Sequence, residues 1–219
     1  MPSRDTARRY ARYLRDREFT IRPHFDIGVD TSISAERPQS KDTSRTIVII
    51  GALGPSKGSA LVYDCAKIAL KTYPDLRFHI VGYTDRDAIF AELGNVSITG
   101  QYDEEDLGKI LRDQAACAAW FPAVWPETFS YTLSAAFAAR LMPIAFDFGA
   151  IAERIRAVNW GVLLPPEYML NIDMLVDNLA TFDVLPPPER LNTGQRYPQI
   201  VRDYYEAPAA WAGIGRWMQ

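Results

Sequence analysis

The sequence predicts an α/β protein: an open parallel sheet with helices on both faces, followed by C-terminal helices. Three observations predict it. Continuous apolar and β-branched runs, such as TIVIIG at 46–51 and LRFHIVG at 76–82, suit strands buried on both faces, as in a parallel sheet covered by helices. From residue 46 to residue 182 such runs alternate with stretches of helical length, which implies right-handed crossovers between successive strands. Glycine-bearing turns follow the runs at 51–58, 82–85 and 100–103, at the carboxyl ends where open α/β sheets bind ligands.

Taken in order, Ser3 is placed to cap a helix running to about residue 15, with Ala7, Tyr10, Ala11 and Leu14 as a narrow apolar stripe. FTIR at 19–22 suits a short strand, ended by Pro23-His24, and the polar, aperiodic residues 28–44 read as a linker. The first sheet strand at 46–51 leads through GALGPSKG into a mostly apolar helix that Pro74 closes. Strands are then expected at 76–82, 96–99, 118–121, 142–146 and 161–164, with helices at about 104–114, within 125–140, at 150–158 and at about 170–182. Three successive prolines at 186–188 break the rhythm, and residues 200–219 suit one or two helices whose Trp211 and Trp217 need a surface to pack on. Three regions result: an N-terminal helix, strand and linker over 1–44, the sheet domain over 45–182, and a helical extension over 183–219.

Composition excludes several classes. A net charge of −3 and a pI near 5.5 argue against a general nucleic-acid binder. No apolar run approaches the ~20 residues of a membrane span, and the arginine-rich start lacks the apolar core of a secretory signal, so a cytoplasmic location is expected. Seven arginines between Arg4 and Arg22 face only Asp5, Asp16 and Glu18. Peripheral contact with an anionic inner-membrane surface is the minority reading of that cluster, and a solvated or interdomain helix face is the commoner one. Cys65 and Cys117 lack a paired motif and read as buried free thiols, while His24 and His79 stand alone, His79 as a packed strand residue. With no Ser/His/Asp set, no Asp-x-Asp and no metal-spaced histidines, the chain offers neither hydrolase nor metal chemistry, and no catalytic residue is assigned.

What remains is recognition of a phosphorylated ligand. The stretch WPETFSYTLSAAFAAR at 125–140 reads as a strand end turning into a helix, with Pro126 and Glu127 at its mouth, Thr128 or Ser130 as N-cap, and Phe129, Leu133, Ala136 and Phe137 at helical spacing. Free amides and a partial positive charge make such a mouth an anion site. Glu127 there either complements the dipole or accepts hydrogen bonds from hydroxyls carried by the phosphate. Gly54 and Lys57 lie in a loop that is neither a Walker A sequence nor G-x-G-x-x-G; Lys57 is either a solvated lysine or a flexible cation for a diphosphate. Gly82 with Tyr83, and Tyr102 after Gly100, suit the walls of a nucleoside pocket, although ordinary turn chemistry explains them nearly as well. Gly149, in the turn DFGA at 147–150, presents further amides to the same presumed cleft.

In order and spacing, GALGPSKG, FHIVG, VSITGQYDEEDLGKIL and FPAVWPETFSYTLSAAFAARLMPIAFDFGAIAERI resemble the C-terminal, Rossmann-like donor-binding half of retaining GT-B glycosyltransferases that use nucleotide-sugars. The resemblance covers about 46–164, and PSRDTARRYARYL with FTIRPH resembles the last helix and strand of such an enzyme's acceptor domain. It implies a hexosyltransferase half that binds a UDP- or GDP-sugar without a metal or other cofactor. The acceptor domain would stand elsewhere on a longer chain or on a separate subunit, so this half alone would bind without transferring. By the same resemblance Lys57 holds the diphosphate, Glu127 holds hydroxyls of the sugar, and the amides of Phe129, Ser130 and Tyr131 hold phosphate. Four positions bear on the pattern: Glu127 and Phe129 keep it, Ser130 replaces its glycine, and Ala135 stands where it has a second glutamate. Ala52 stands where it has an arginine. The alternative is a degenerate, non-catalytic module of the same fold that binds nucleotide-sugar weakly or serves a protein partner.

Overall fold

The computed structural model describes residues 1–24, 45–116, 118–189 and 191. The expected linker at 28–44, Cys117, and the terminal helices with Trp211 and Trp217 lie outside them.

Among the described residues six parallel strands form one sheet: β1 (Arg45–Leu53), β2 (Leu76–Thr84), β3 (Val96–Ile98), β4 (Ala118–Phe121), β5 (Met142–Phe146) and β6 (Val162–Leu164), in the order β3-β2-β1-β4-β5-β6. This is the open, doubly wound α/β arrangement that the alternation implied. Ile47, Val48, Ile49, Ala118, Ala119, Trp120 and Ile144 are all at most 1% exposed, which requires cover on both faces. The helices are α1 (Arg4–Ala11), α2 (Ser59–Thr72), α3 (Asp87–Phe90), α4 (Leu107–Asp113), α5 (Tyr131–Ala138), α6 (Gly149–Val158) and α7 (Ile172–Thr181). They pair as α2 on α7, α4 on α5 and α1 on α6.

The strand order reverses between β1 and β4. There the pairing is short: β4 is in register with β1 only at Ile47↔Ala118 and Val48↔Ala119, whereas β2 follows β1 over nine residues to Leu53↔Thr84. Past Val48 the two central strands therefore part, leaving a crevice at their carboxyl ends. Gly58 lets the chain turn back beside it. With φ at +84°, a Cβ on Gly58 would lie 2.2 Å from the Pro122 carbonyl oxygen, so the loop after β1 packs backbone to backbone on the loop after β4. The Val124 amide donates to the Ser56 carbonyl at 3.1 Å and completes that contact.

Several expectations are corrected. Ser3 caps α1, its hydroxyl accepting from the Thr6 amide, but α1 stops at Ala11 and its buried residues are Thr6 and Ala7. Tyr10 and Leu14, two of the expected stripe, are 50% and 47% exposed. The helix seats on α6, whose Glu153 carboxylate accepts from the Arg4 and Asp5 amides at 3.1 and 2.9 Å and so complements the positive end of α1. No strand forms at 19–22; the segment runs extended past Met1, whose ammonium donates to the Thr20 carbonyl and whose carbonyl accepts from Arg22. The short α3 begins at Asp87, whose carboxylate accepts the Thr84 amide, a turn-scale bond without an apolar period to announce it. Helix α4 begins at Leu107 after a turn at 104–106, and α7 at Ile172 after a 3-10 turn over Pro166–Leu170. The proline segment folds back: Trp160 Nε1 donates to the Leu185 carbonyl at 3.2 Å.

Candidate functional site

The crevice between β1 and β4 gathers most of the residues singled out in the sequence. The loop after β1 forms a 3-10 turn over Pro55–Lys57, and Lys57 extends from it. The loop after β4 runs from Pro122 to Ser130 before α5 begins, so Pro126 and Glu127 lie in an irregular segment rather than in a first helical turn. Ser130, one of the two expected N-caps, holds the cap position. Lys57 Nζ stands 3.7 Å from Glu127 Oε1, across the mouth of the crevice.

The pair lines one hollow, and a second opens over the neighbouring strand ends. The smaller, about 270 Å³, is lined by Ser56, Lys57, Trp125, Glu127, Thr128, Phe129 and Ser130. The larger, about 660 Å³, opens over the ends of β1, β2 and β3, with Gly51, Ala52, Gly82, Tyr83, Thr99 and Tyr102 among its lining. Its floor needs glycine. Gly82, with φ at +136°, would place a Cβ 2.2 Å from the Gly51 carbonyl oxygen, so no side chain fills that floor. Gly51 in turn lies 3.3 Å, measured from its would-be Cβ, from the methyl group of Thr132 in the first turn of α5. The helix mouth thus adjoins the larger hollow. Burial, and after it the Glu104 carboxylate, raises the Tyr102 phenol above its ordinary pKa.

The mouth of α5 is unusual. Ser130 occupies the N-cap position with φ 74° and ψ 96°, makes no capping bond to the helix, and shares a 3.1 Å contact with the Thr132 hydroxyl. The expected alternative cap, Thr128, lies two residues before that position. Phe129 and Ser130 are buried, whereas Tyr131 is 45% exposed. His24 is not isolated as expected: its ring centroid lies 5.3 Å from that of Phe129 and 5.9 Å from that of Tyr131. The contact joins residues over a hundred positions apart in sequence, and nothing in the local pattern announces it. Arg154 of α6, also unforeseen, donates to the Ser130 carbonyl at 2.7 Å, the Phe129 carbonyl at 3.3 Å and the Ser134 hydroxyl at 2.9 Å.

Gly54, Tyr131 and Gly149 line neither hollow. A Cβ on Gly54 would meet nothing within 4 Å, so flexibility or backbone access rather than crowding is what glycine offers there. Gly149, with φ at +72°, brings α6 within 3.0 Å, from its would-be Cβ, of the Pro126 Cα, and the next amide, that of Ala150, donates to the Glu127 carbonyl at 3.0 Å. That amide braces the Glu127 loop. Gly149 instead edges a third groove of about 800 Å³ between α1 and α6, lined by Arg4, Arg8, Arg12 and Arg156 among others. Ala135, at the expected second-glutamate position, is half-buried against the core, and Ala52 sits on the rim of the larger hollow. Among the described residues no group of three or more His, Cys, Asp or Glu could hold a metal ion. No helix among them is long and apolar enough to cross a membrane.

The sequence profile of the family described as glycosyl transferases group 1 matches residues 30–192. Phosphatidyl-myo-inositol mannosyltransferase of Mycobacterium tuberculosis is 28% identical over 145 residues, 64% of this chain and 38% of that protein. Its counterpart in Mycobacterium leprae is 26% identical over 146 residues, 63% of this chain and 38% of the counterpart. The chain therefore spans 38% of the length of these curated relatives. Among solved structures, a point mutant of S. aureus TarM, in complex with Fondaparinux, alpha-GlcNAc-glycerol and UDP, aligns with a TM-score of 0.56 at 18% identity, over 78% of this chain and 35% of that one. Apo OtsA aligns with a TM-score of 0.50 at 14% identity, over 70% of this chain and 38% of that one. These two likenesses concern the fold.

Proposed function

Because the chain belongs to the glycosyl transferases group 1 family, we propose that it is the nucleotide-sugar-binding half of a hexosyltransferase, its acceptor held by a separate domain. The observation that carries the reading is the Lys57–Glu127 pair at 3.7 Å, one residue from each side of the sheet's switch point, with a hollow of about 660 Å³ beyond it. A cation and a carboxylate at one point suit a ligand that is anionic at its diphosphate and rich in hydroxyls at its sugar. The larger hollow, with Tyr83 and Tyr102 on its walls, receives the nucleoside, uridine or guanosine. Lys57 leaves Glu127 for the diphosphate, Glu127 accepts hydrogen bonds from the hexose hydroxyls, and the Ser130 and Tyr131 amides face phosphate.

Transfer breaks the bond between the anomeric carbon and the diphosphate oxygen, and the departing diphosphate gathers negative charge. Lys57 and the amides at the mouth of α5 stabilise that charge in place of a metal ion. The acceptor hydroxyl, which forms the new glycosidic bond and gives up its proton, approaches from the separate domain. This chain alone binds donor without transferring.

A second reading, a non-catalytic module of the same family, is favoured by Ala135, whose methyl packs against the core and offers nothing to a ribose. Calorimetric titration with UDP, GDP and their hexose derivatives tests both. Saturable binding that Lys57→Ala removes, and that Glu127→Ala weakens only for the hexose derivatives, is the expected result. Absence of binding to every nucleotide at millimolar concentration overturns the donor site in favour of the module.

A further inference from the structure

We propose that Arg154 is a positioning residue of the donor site, pinning the turn at Ser130 so that the amides of the loop face the diphosphate. The inference rests on the donor-site reading above. Arg154 lies on α6 and lines neither hollow, whereas Ser130 lines the smaller one. Its Nη1 donates to the carbonyls of Ser130, at 2.7 Å, and Phe129, at 3.3 Å, and Nη2 donates to the Ser134 hydroxyl at 2.9 Å. The guanidinium carbon stands 4.2 Å from the centroid of the Phe129 ring, so the fork is held from behind as well.

Peptide planarity turns these contacts into a direction. The described peptide bonds are all trans, and in a trans peptide the carbonyl of one residue points opposite to the N–H of the next. With the Phe129 and Ser130 carbonyls drawn to Arg154, the N–H groups of Ser130 and Tyr131 are turned away from it. The Ser130 N–H donates to no described acceptor. Ser130 adopts φ 74°, a region that a residue with a side chain holds only when its surroundings impose it. Arg154 supplies that imposition with a rigid planar fork that a lysine cannot reproduce, and its charge stands behind amides that meet an anion.

The full chain and its Arg154→Met, Arg154→Lys, Ser130→Gly and Arg154→Met/Ser130→Gly variants are titrated calorimetrically with UDP, GDP and inorganic pyrophosphate, with thermal unfolding as the check on folding. Arg154→Met is expected to weaken diphosphate binding by roughly tenfold or more, the scale of a lost charge-assisted hydrogen bond. Arg154→Lys falls between. On the Ser130→Gly background the loss shrinks to about threefold or less, because glycine adopts the turn unaided. In the wild type, the Ser130 amide resonance shifts as pyrophosphate is added. If Arg154→Met does not fold, Arg154→Lys carries the same comparison.

Unchanged affinity in the Arg154 variants, beside a wild type whose binding depends on Lys57, overturns this role and leaves the donor site standing. An equal loss with serine or glycine at 130 also overturns it, since Arg154 would then not act through the turn. A wild type that binds none of the three ligands removes the donor site and this role together.

Discussion

Lys57 Nζ and Glu127 Oε1 approach to 3.7 Å across the crevice, the ammonium 43% and the carboxylate 19% exposed. A pair so placed contributes only ~0–1 kcal/mol to folding, so its stabilising role is minor. On the proposed donor-site reading its consequence is for ligands, because the carboxylate would compete with phosphate for the ammonium. Glu127→Gln is therefore expected to leave the unfolding midpoint nearly unchanged and to hold or raise affinity for a bare nucleoside diphosphate. Affinity for the hexose derivative falls by roughly tenfold in the same variant. Parallel titrations read the opposite signs, and a fall for both ligands contradicts the division of roles.

Gly58 and Gly54 make a matched test of the β1 loop. Gly58→Ala drives a methyl to 2.2 Å from the Pro122 carbonyl oxygen at φ +84°, with backbone on both sides and nothing free to yield. A loss of more than ~2 kcal/mol in urea unfolding is expected. Gly54→Ala points into open space at φ −103° and is expected to be neutral or to stabilise by ~0.4–1 kcal/mol, provided no ligand is bound.

His79 gives the fold a dependence on acid. Its Nδ1 shares a 2.6 Å hydrogen bond with the Ser97 hydroxyl, its Nε2 is buried without a partner, and burial lowers the imidazole below its ordinary pKa. Well above the ordinary imidazole pKa of about 6.5 the ring is neutral in folded and unfolded chains alike. As pH falls from there, the unfolded chain takes up the proton first, and stability is lost until the lowered folded pKa is passed. Thermal midpoints at pH 8 and pH 5 are expected to differ less for His79→Gln than for the wild type.

Cys65 lies fully buried in α2, where burial, and after it the Asp64 carboxylate, pushes its thiol far above the usual range. Reaction of Cys65 with a disulfide reagent is expected to be negligible in the native chain and rapid after unfolding. Rapid labelling of native Cys65, identified by mass spectrometry, contradicts this burial.

Much of the fold was legible in the residues themselves. Ile47 to Ile50 are apolar at every position rather than at alternate ones, which demands cover on both faces, and β5 matches its expected bounds at 142–146 because five consecutive buried residues leave no choice of period. The edges of helices were less legible. Tyr10 and Leu14 keep helical spacing but are exposed, since α1 ends at Ala11 and only Thr6 and Ala7 of it are buried.

The sequence by itself determined the α/β alternation, the parallel sheet and the glycine turns at its carboxyl edge, and it singled out Lys57 and Glu127 there as candidates. Each of these follows from local steric and hydrophobic constraints within a few residues. Only the tertiary structure decided that these two meet at 3.7 Å, that β1 and β4 part after Val48, that His24 rests on Phe129, and that Arg154 holds the turn at Ser130. Those are contacts between segments tens to more than a hundred residues apart, and their geometry depends on the strand order and on how helices seat on the sheet. No local period or propensity encodes that geometry.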